Sequence, residues 1–391
     1  MRSDYDCIVV GAGPAGSMAA EAAARKGLRT LLLEKDREIG VPVRCAEGVG
    51  ERELTELVQP RERWIANVVQ GAVLIAPNGK EVVIEGNGDR GLVLDRKIFD
   101  YDLAAMAAAH GAEIATKAYV FDVLRTDGRV TGVRVQHLGR IHDIRARVVI
   151  GADGVESRVG RFAGLHTALK LRNLGSCLQV TLANIRVDPR YVYAYFGEAV
   201  APGGYLWIFP KSETEANVGI GILGPYTKQR SAMRYLDDFL RRRFPHAAVL
   251  YTVAGCVPVA KTLKKIIAPG LMLAGDAAHQ VNPVTGGGII TAMFAGRLAG
   301  NVAAKAIAAN DVSEKMLNEY AREWHRQVGQ KHERLYRVKE SIIKLRDADF
   351  NRLAEIMQDI PPEERTLLTV LKKALMRKPA LILDLVRAFM G

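Results

Sequence analysis

Near its start the chain carries short apolar runs rather than alternating ones. Tyr5 to Val10 is the first, stopping at Gly11, and Arg29 to Glu34 is the second. Between them, Gly13 to Lys26 is built of small, helix-compatible residues and closes at Gly27. Apolar runs of this length bounded by glycine suit strands buried on both faces, and parallel strands need a crossover helix between them. The pattern predicts a right-handed β-α-β unit. Further on it changes to alternation: Ala118–Leu124, Arg129–Gln136 and Arg140–Val149 are separated by Asp127-Gly128 and Leu138-Gly139. These predict a small antiparallel meander, whose last strand runs into Val148-Val149-Ile150-Gly151 and so returns to the parallel sheet.

Strand patterns dominate again over Cys177–Ile185, Tyr191–Phe196, Tyr205–Pro210 and Ala216–Ile222, with one helix near Gln229–Phe244. Leu271–Ala274 reads as a further strand of the first unit, and the chain is helical from Gly286 onward. From about Val312 the helices are amphipathic and rich in Lys and Arg. The expected fold class is therefore α/β: a Rossmann-type dinucleotide-binding domain (1–170 and 261–310), an inserted antiparallel β-sheet domain (171–260) and C-terminal helices (311–391).

Composition narrows the setting. At 391 residues, 49% hydrophobic and 25% charged, the chain has room for two joined domains with ordinary globular chemistry. Cys7, Cys45, Cys177 and Cys256 have no metal-type spacing, so no metal is expected. With neither signal peptide nor a spanning apolar stretch, the expected place is cytoplasmic. A net charge of +12 points to an anionic partner. No nucleic-acid motif is present, which leaves an anionic ligand or a lipid surface. The basic helices suit either peripheral contact with a bilayer or packing with a solvated outer face; Lys331–Arg346, Leu367–Arg377 and Leu381–Met390 share that character.

Gly11, Gly13 and Gly16 fit G-x-G-x-x-G between a strand and a helix, and Glu34 ends the second strand. Such a turn holds a pyrophosphate on a helix N-terminus while the acid accepts from ribose hydroxyls. Alone it does not separate FAD from NAD. A second cluster does: Gly275-Asp276 closes a strand, and Gly286-Gly287-Gly288 opens another helix before Ile289. A long dinucleotide with a ribityl chain needs that second set of donors and a carboxylate. His279, beside it, reads as structural more than catalytic.

Together with Leu94-Asp95-Arg96-Lys97-Ile98-Phe99-Asp100 and Gly151-Ala152-Asp153-Gly154, these segments resemble the p-hydroxybenzoate-hydroxylase-like FAD proteins over roughly residues 1–300. Within that group the chain is most similar to geranylgeranyl reductases, through Ile39–Gly48 and through Gly203-Gly204-Tyr205-Leu206-Trp207-Ile208-Phe209-Pro210-Lys211 with Asn217–Gly221. Ala46 stands where relatives commonly carry glycine. The resemblance implies FAD contacts from Ala15, Glu34, Cys45, Ala46, Gly48, Arg96, Val120, Asp276, Gly288 and Ile289. It also implies that Tyr205 and Trp207 stand in a substrate cavity and that the substrate is an isoprenoid ether lipid. On residues alone, Tyr205 and Trp207 at i and i+2 would equally share one buried face of a strand, and Cys45 could be a small buried hydrophobe. Cys45 is the candidate polar or acidic group at the flavin face. The electron donor stays open among ferredoxin, a reduced deazaflavin and NAD(P)H. Other readings are a flavin monooxygenase of the same architecture and a non-catalytic flavin-bearing lipid-binding protein. A quinone-reductase-like electron-transfer protein is disfavoured because its cluster-binding cysteines are absent from the tail.

Overall fold

The computed structural model describes residues 1–86 and 88–374. Its centre is β1 (Asp4–Val10), which pairs in parallel with β2 (Thr30–Leu33) on one side and with the strand Arg140–Gly151 on the other. Cys7, Ile8 and Val9 are fully buried, as apolar runs in a two-sided parallel sheet must be. Glu113–Ala115 extends the sheet beyond β2, and Leu271–Leu273 extends it beyond Arg140–Gly151.

Arg140–Gly151 belongs to two arrangements. Its first half pairs antiparallel with Arg129–His137, which pairs with Ala118–Thr126; its second half lies parallel to β1. The turns between these strands have both central residues at positive φ: Asp127 and Gly128 at 49° and 76°, Leu138 and Gly139 at 48° and 80°. That is the hairpin geometry matching strand twist.

The helix α1 (Pro14–Arg25) leaves the first turn with proline at its start, where a missing N–H costs nothing. It packs along Ile289–Ala308 so closely that a Cβ on Gly296 would stand 1.9 Å from Ala15 O. The two helices therefore run side by side with their N-termini at one end of the parallel sheet.

The second sheet has seven strands in the order Ala248–Pro258, Leu174–Ala183, Glu215–Leu223, Tyr205–Pro210, Tyr191–Tyr195, Gly71–Ile75, Glu81–Glu85. Five come from the expected insertion. The other two, a hairpin from residues 71–85, come from the segment expected to serve the first domain, and Gly71–Ile75 joins Tyr191–Tyr195 in parallel. The helix Ala232–Arg243 covers one face with Leu236 and Phe239. A three-stranded sheet of Gly48–Gly50, Gly91–Leu94 and Ile65–Val69 is formed by the segments that flank the 71–85 hairpin in sequence.

The tail helices Glu314–Trp324, Gln330–Ile342, Asp347–Gln358 and Leu367–Ala374 follow. Tyr320 and Trp324 join the core of the first sheet. Leu335 and Val338 are buried too, so this apolar stripe packs inward. The expected segment Leu381–Met390 lies outside the described residues. Among those described, no helix is long and apolar enough to cross a membrane.

Candidate functional site

The glycine turn is dictated by close approach. Gly11 has φ +98°, and a Cβ there would meet Ala152 O at 2.3 Å; one on Gly16 would meet Gly11 O at 1.7 Å. A Cβ on Gly13 would meet nothing within 4 Å. The first two glycines close the turn, and the third leaves open space in front of a helix N-terminus. Glu34 is tied to the same turn: its Oε2 accepts from Ala12 N at 2.8 Å and its Oε1 from Asp36 N at 2.9 Å.

Two helix N-termini meet at the site. Neither α1 nor Ile289–Ala308 has a side-chain cap or an acidic residue in its first turn, so their N–H groups and positive dipole ends remain available. A Cβ on Gly275 would touch both Ala15 and Ala292, which places the Gly275-Asp276 turn against both helices. Asp276 lies at the cavity wall, reachable by water but surrounded by protein, and burial pushes its carboxyl up to about 6, with Arg96 opposing. His279, next in the turn at φ 56°, has its Nε2 buried without a partner, and burial pulls its pKa down to about 4.

Arg96 sits at the start of the helix Arg96–Ala109, whose N-cap Asp95 accepts from Lys97 N and Ile98 N. Its guanidinium forms a two-point pair with Asp100, Nε to Oδ1 at 3.1 Å and Nη2 to Oδ2 at 2.5 Å. Burial works against its charge, but Asp100 and Cys45 beside it raise its pKa overall.

A single cavity of about 560 Å³ joins these parts. Its wall includes Gly13, Ala15, Arg96, Asp276, Gly288 and Ile289 of the nucleotide cradle, Cys45, Ala46 and Gly48, Tyr205 and Trp207 of the second sheet, and Ile342, Ile343, Leu345 and Phe350 of the tail. Most of the residues expected at the site thus share one space. Gly11, Gly16, Glu34 and Val120 lie off its wall. Val120 is on the strand whose Ala118 N donates to Glu34 O at 2.8 Å, toward the end where an adenosine would lie.

Tyr205 and Trp207 do share one face of their strand, with ring centroids 5.8 Å apart, and that face is the cavity wall. The Tyr205 hydroxyl donates to Thr285 O at 2.5 Å, and burial raises its pKa. Trp207 lies against the bare backbone of Gly219 and donates from Nε1 to Gln179 Oε1 at 3.0 Å. Gln179 Nε2 in turn donates to Cys45 O at 2.8 Å. A relay of hydrogen bonds thus carries the second sheet's geometry to the Cys45 backbone.

Glu47 and Gln179 were not singled out from the sequence. Glu47 is 2% exposed at φ 76°. It accepts from Arg96 N at 2.8 Å and from Asn217 Nδ2, and pairs with Lys211 Nζ at 2.7 Å. Its own N–H donates to Cys45 Sγ at 3.2 Å. The signal available was a carboxylate beside Cys45-Ala46 in a glycine-bounded segment, with Lys211 closing one matched motif and Asn217 opening the next.

The donor set fits FAD: an open pyrophosphate seat at Gly13, two uncapped helix starts, and a half-buried carboxylate for a polyol. Comparison with known proteins agrees. Residues 6–192 match the model of FAD dependent oxidoreductases, and residues 173–257 match the geranylgeranyl reductase catalytic domain. Digeranylgeranylglycerophospholipid reductase 1 of Methanococcoides burtonii is 46% identical, over 92% of this chain and 89% of its own. The Methanocella arvoryzae digeranylgeranylglycerophospholipid reductase is 44% identical over 99% of both. The crystal structure of a geranylgeranyl bacteriochlorophyll reductase-like protein of Thermoplasma acidophilum superposes with a TM-score of 0.92 at 37% identity, covering 99% of each chain. A flavin-dependent brominase, at 18% identity and a TM-score of 0.71, shares the fold alone. FAD is the cofactor, and the chain belongs to the digeranylgeranylglycerophospholipid reductase family of FAD-dependent oxidoreductases.

Proposed function

We propose that this protein saturates the isoprenoid double bonds of geranylgeranyl ether lipids, as an oxidoreductase acting on CH–CH groups in archaeal-type membrane lipid synthesis. The observation that carries this reading is the continuity of the cavity, from the dinucleotide cradle past Cys45, Tyr205 and Trp207 to the aliphatic side chains of Ile342, Ile343 and Leu345. A long apolar chain can lie along the far wall with one double bond at the Cys45 end.

FAD held in this cradle would, once reduced, supply the hydride equivalent for one alkene carbon. An isolated trisubstituted alkene has no carbonyl to activate it, so the other carbon needs a proton from a correctly placed acid. In this reading the Cys45 thiol delivers it. The Trp207–Gln179–Cys45 relay fixes the thiol's backbone, and Glu47 holds the segment on its other side. Tyr205, anchored on Thr285, and Trp207 shape the wall that keeps the chain aligned and water out. Arg96, Asp276, Gly288 and Ile289 would hold the FAD near its reacting end, with Gly13, Ala15 and Glu34 on its other half.

The direct test is mass spectrometry of digeranylgeranylglyceryl phosphate after incubation with chemically reduced holoprotein. Mass gains in steps of two hydrogens are expected. An unchanged mass despite tight lipid binding would replace the enzyme by a flavin-bearing lipid carrier. Cys45→Ser should abolish most turnover while retaining FAD; full turnover with normal FAD content removes the thiol as proton source.

A further inference from the structure

We propose that the start of the edge strand Ala248–Pro258 is a docking surface for an anionic phospholipid bilayer, from which lipid passes into the cavity along that same strand. The proposal rests on the reading that the cavity takes a lipid.

This strand is the outer edge of the seven-stranded sheet and, among the described residues, pairs only with Leu174–Ala183. Three consecutive residues on it are open to solvent: Val249 at 55%, Leu250 at 60% and Tyr251 at 36% exposure. Edge strands of water-facing sheets usually carry charge or proline, so a run of exposed valine, leucine and tyrosine marks an interaction site. The pairing register shifts here: Val249 faces Leu182 and Tyr251 faces Thr181, which leaves Leu250 as the extra residue of a bulge. A bulge disrupts the ladder and breaks strict alternation of side chains, so the apolar groups are not sorted to opposite faces.

The surroundings are basic. Arg241 and Arg242 end the helix that precedes the strand, both exposed, while Arg243 turns away to Tyr195; Asn184 Nδ2 holds the intervening turn through His246 O at 3.0 Å. Apolar side chains rimmed by arginine are the chemistry that inserts at the interface of an anionic bilayer. Three residues beyond Tyr251, roughly 10 Å along a strand, Ala254 and then Cys256 line the cavity, and the exposed Arg44 side chain lies against Gly255 between them. The patch and the cavity wall are two stretches of one strand.

Other occupants fit less well. A second copy pairing edge to edge would meet the bulge and would bring two arginine clusters together. The last described helix of the tail, Leu367–Ala374, shares through Val370 a buried cluster with Ala354, Met357, Ala76 and Val82, the last on the opposite edge strand of the sheet.

The test uses holoprotein, co-sedimented with vesicles of pure phosphatidylglycerol and of pure phosphatidylcholine. Wild type should bind the anionic vesicles. Leu250→Glu, and separately Arg241→Glu with Arg242→Glu, should each weaken that binding at least ~10-fold. Both variants should reduce detergent-dispersed substrate at the wild-type rate and vesicle-embedded substrate ~10-fold more slowly. Unaltered vesicle binding by both variants overturns the proposal. A wild-type dimer split into monomers by Leu250→Glu in sedimentation velocity also overturns it, assigning the patch to a second copy. If wild type reduces no dispersed isoprenoid lipid, the proposed function fails, while the vesicle contrast still reads the docking surface by itself.

Discussion

The glycines of the first turn differ in what surrounds them. Gly11 has a positive φ and Ala152 against it, Gly16 has the Gly11 carbonyl, and Gly13 has an ordinary φ of −74° with space ahead. Folding and binding can therefore be separated by substitution. Gly13→Ala should leave flavin-free stability unchanged or raised by about 0.4–1 kcal/mol, through a less flexible unfolded chain. It should weaken FAD binding at least ~10-fold, because the new methyl stands where backbone must approach the pyrophosphate. Gly11→Ala should lose both. Urea titration of the flavin-free protein and fluorescence titration with FAD read the two quantities; equal stability losses in the two variants would contradict this division. The turn was legible in the sequence because its three glycines lie within six residues and Glu34 ends the very next strand. Glu47 and Gln179 were not: their meaning depends on Asn217, Lys211 and Trp207, which arrive from another sheet.

At the level of elements, the short turn Gly275–Ala278 with His279 holds two titrations of opposite sense. Asp276 has its carboxyl raised to about 6 by burial, so between about 4 and 6 the native state binds more protons than the unfolded chain, and stability falls as pH rises. His279 is lowered to about 4 by burial, so from about 4 to 6.5 the native state binds fewer protons, and stability grows as pH rises. Each effect amounts to roughly 3 kcal/mol across its window, and they largely cancel. In flavin-free protein, Asp276→Asn should expose a stability that climbs from pH 4 to 6.5, and His279→Asn, compatible with the positive φ, one that falls from pH 4 to 6. Identical pH profiles for wild type and Asp276→Asn by urea unfolding would remove this account. Hairpins were legible at this scale where their turns announced them, as at Asp127-Gly128 and Leu138-Gly139. The hairpin Gly71–Ile75 with Glu81–Glu85 escaped because it belongs to a sheet whose neighbouring strand begins at Tyr191, more than a hundred residues later.

For the whole molecule, Glu47 is the joint between the nucleotide unit and the inserted sheet: one carboxylate meets Arg96 N from the first and Asn217 and Lys211 from the second. Removing one member of a buried pair leaves the other uncompensated. Glu47→Gln should cost about 3 kcal/mol of stability, lower kcat more than it raises KM, and shift the flavin absorption spectrum. Adding Lys211→Met should recover most of the stability, as a double-mutant cycle by urea unfolding would register; purely additive losses would mean the two groups do not communicate. The division into a nucleotide unit and an inserted sheet was readable from the order of strand patterns. The exchange of the 71–85 hairpin between them was not, because nothing local specifies it. That exchange also bears on how the protein comes to be made. As the chain leaves the ribosome, the hairpin emerges long before Tyr191–Tyr195 can cover its edge, and β1 waits with Arg140–Gly151 until Leu271–Leu273 completes the parallel sheet. Such late, long-range closures are slow and leave strand edges bare. About two thirds of the molecule must be synthesised before either large sheet is whole, so neither half can be released as a finished domain ahead of the other.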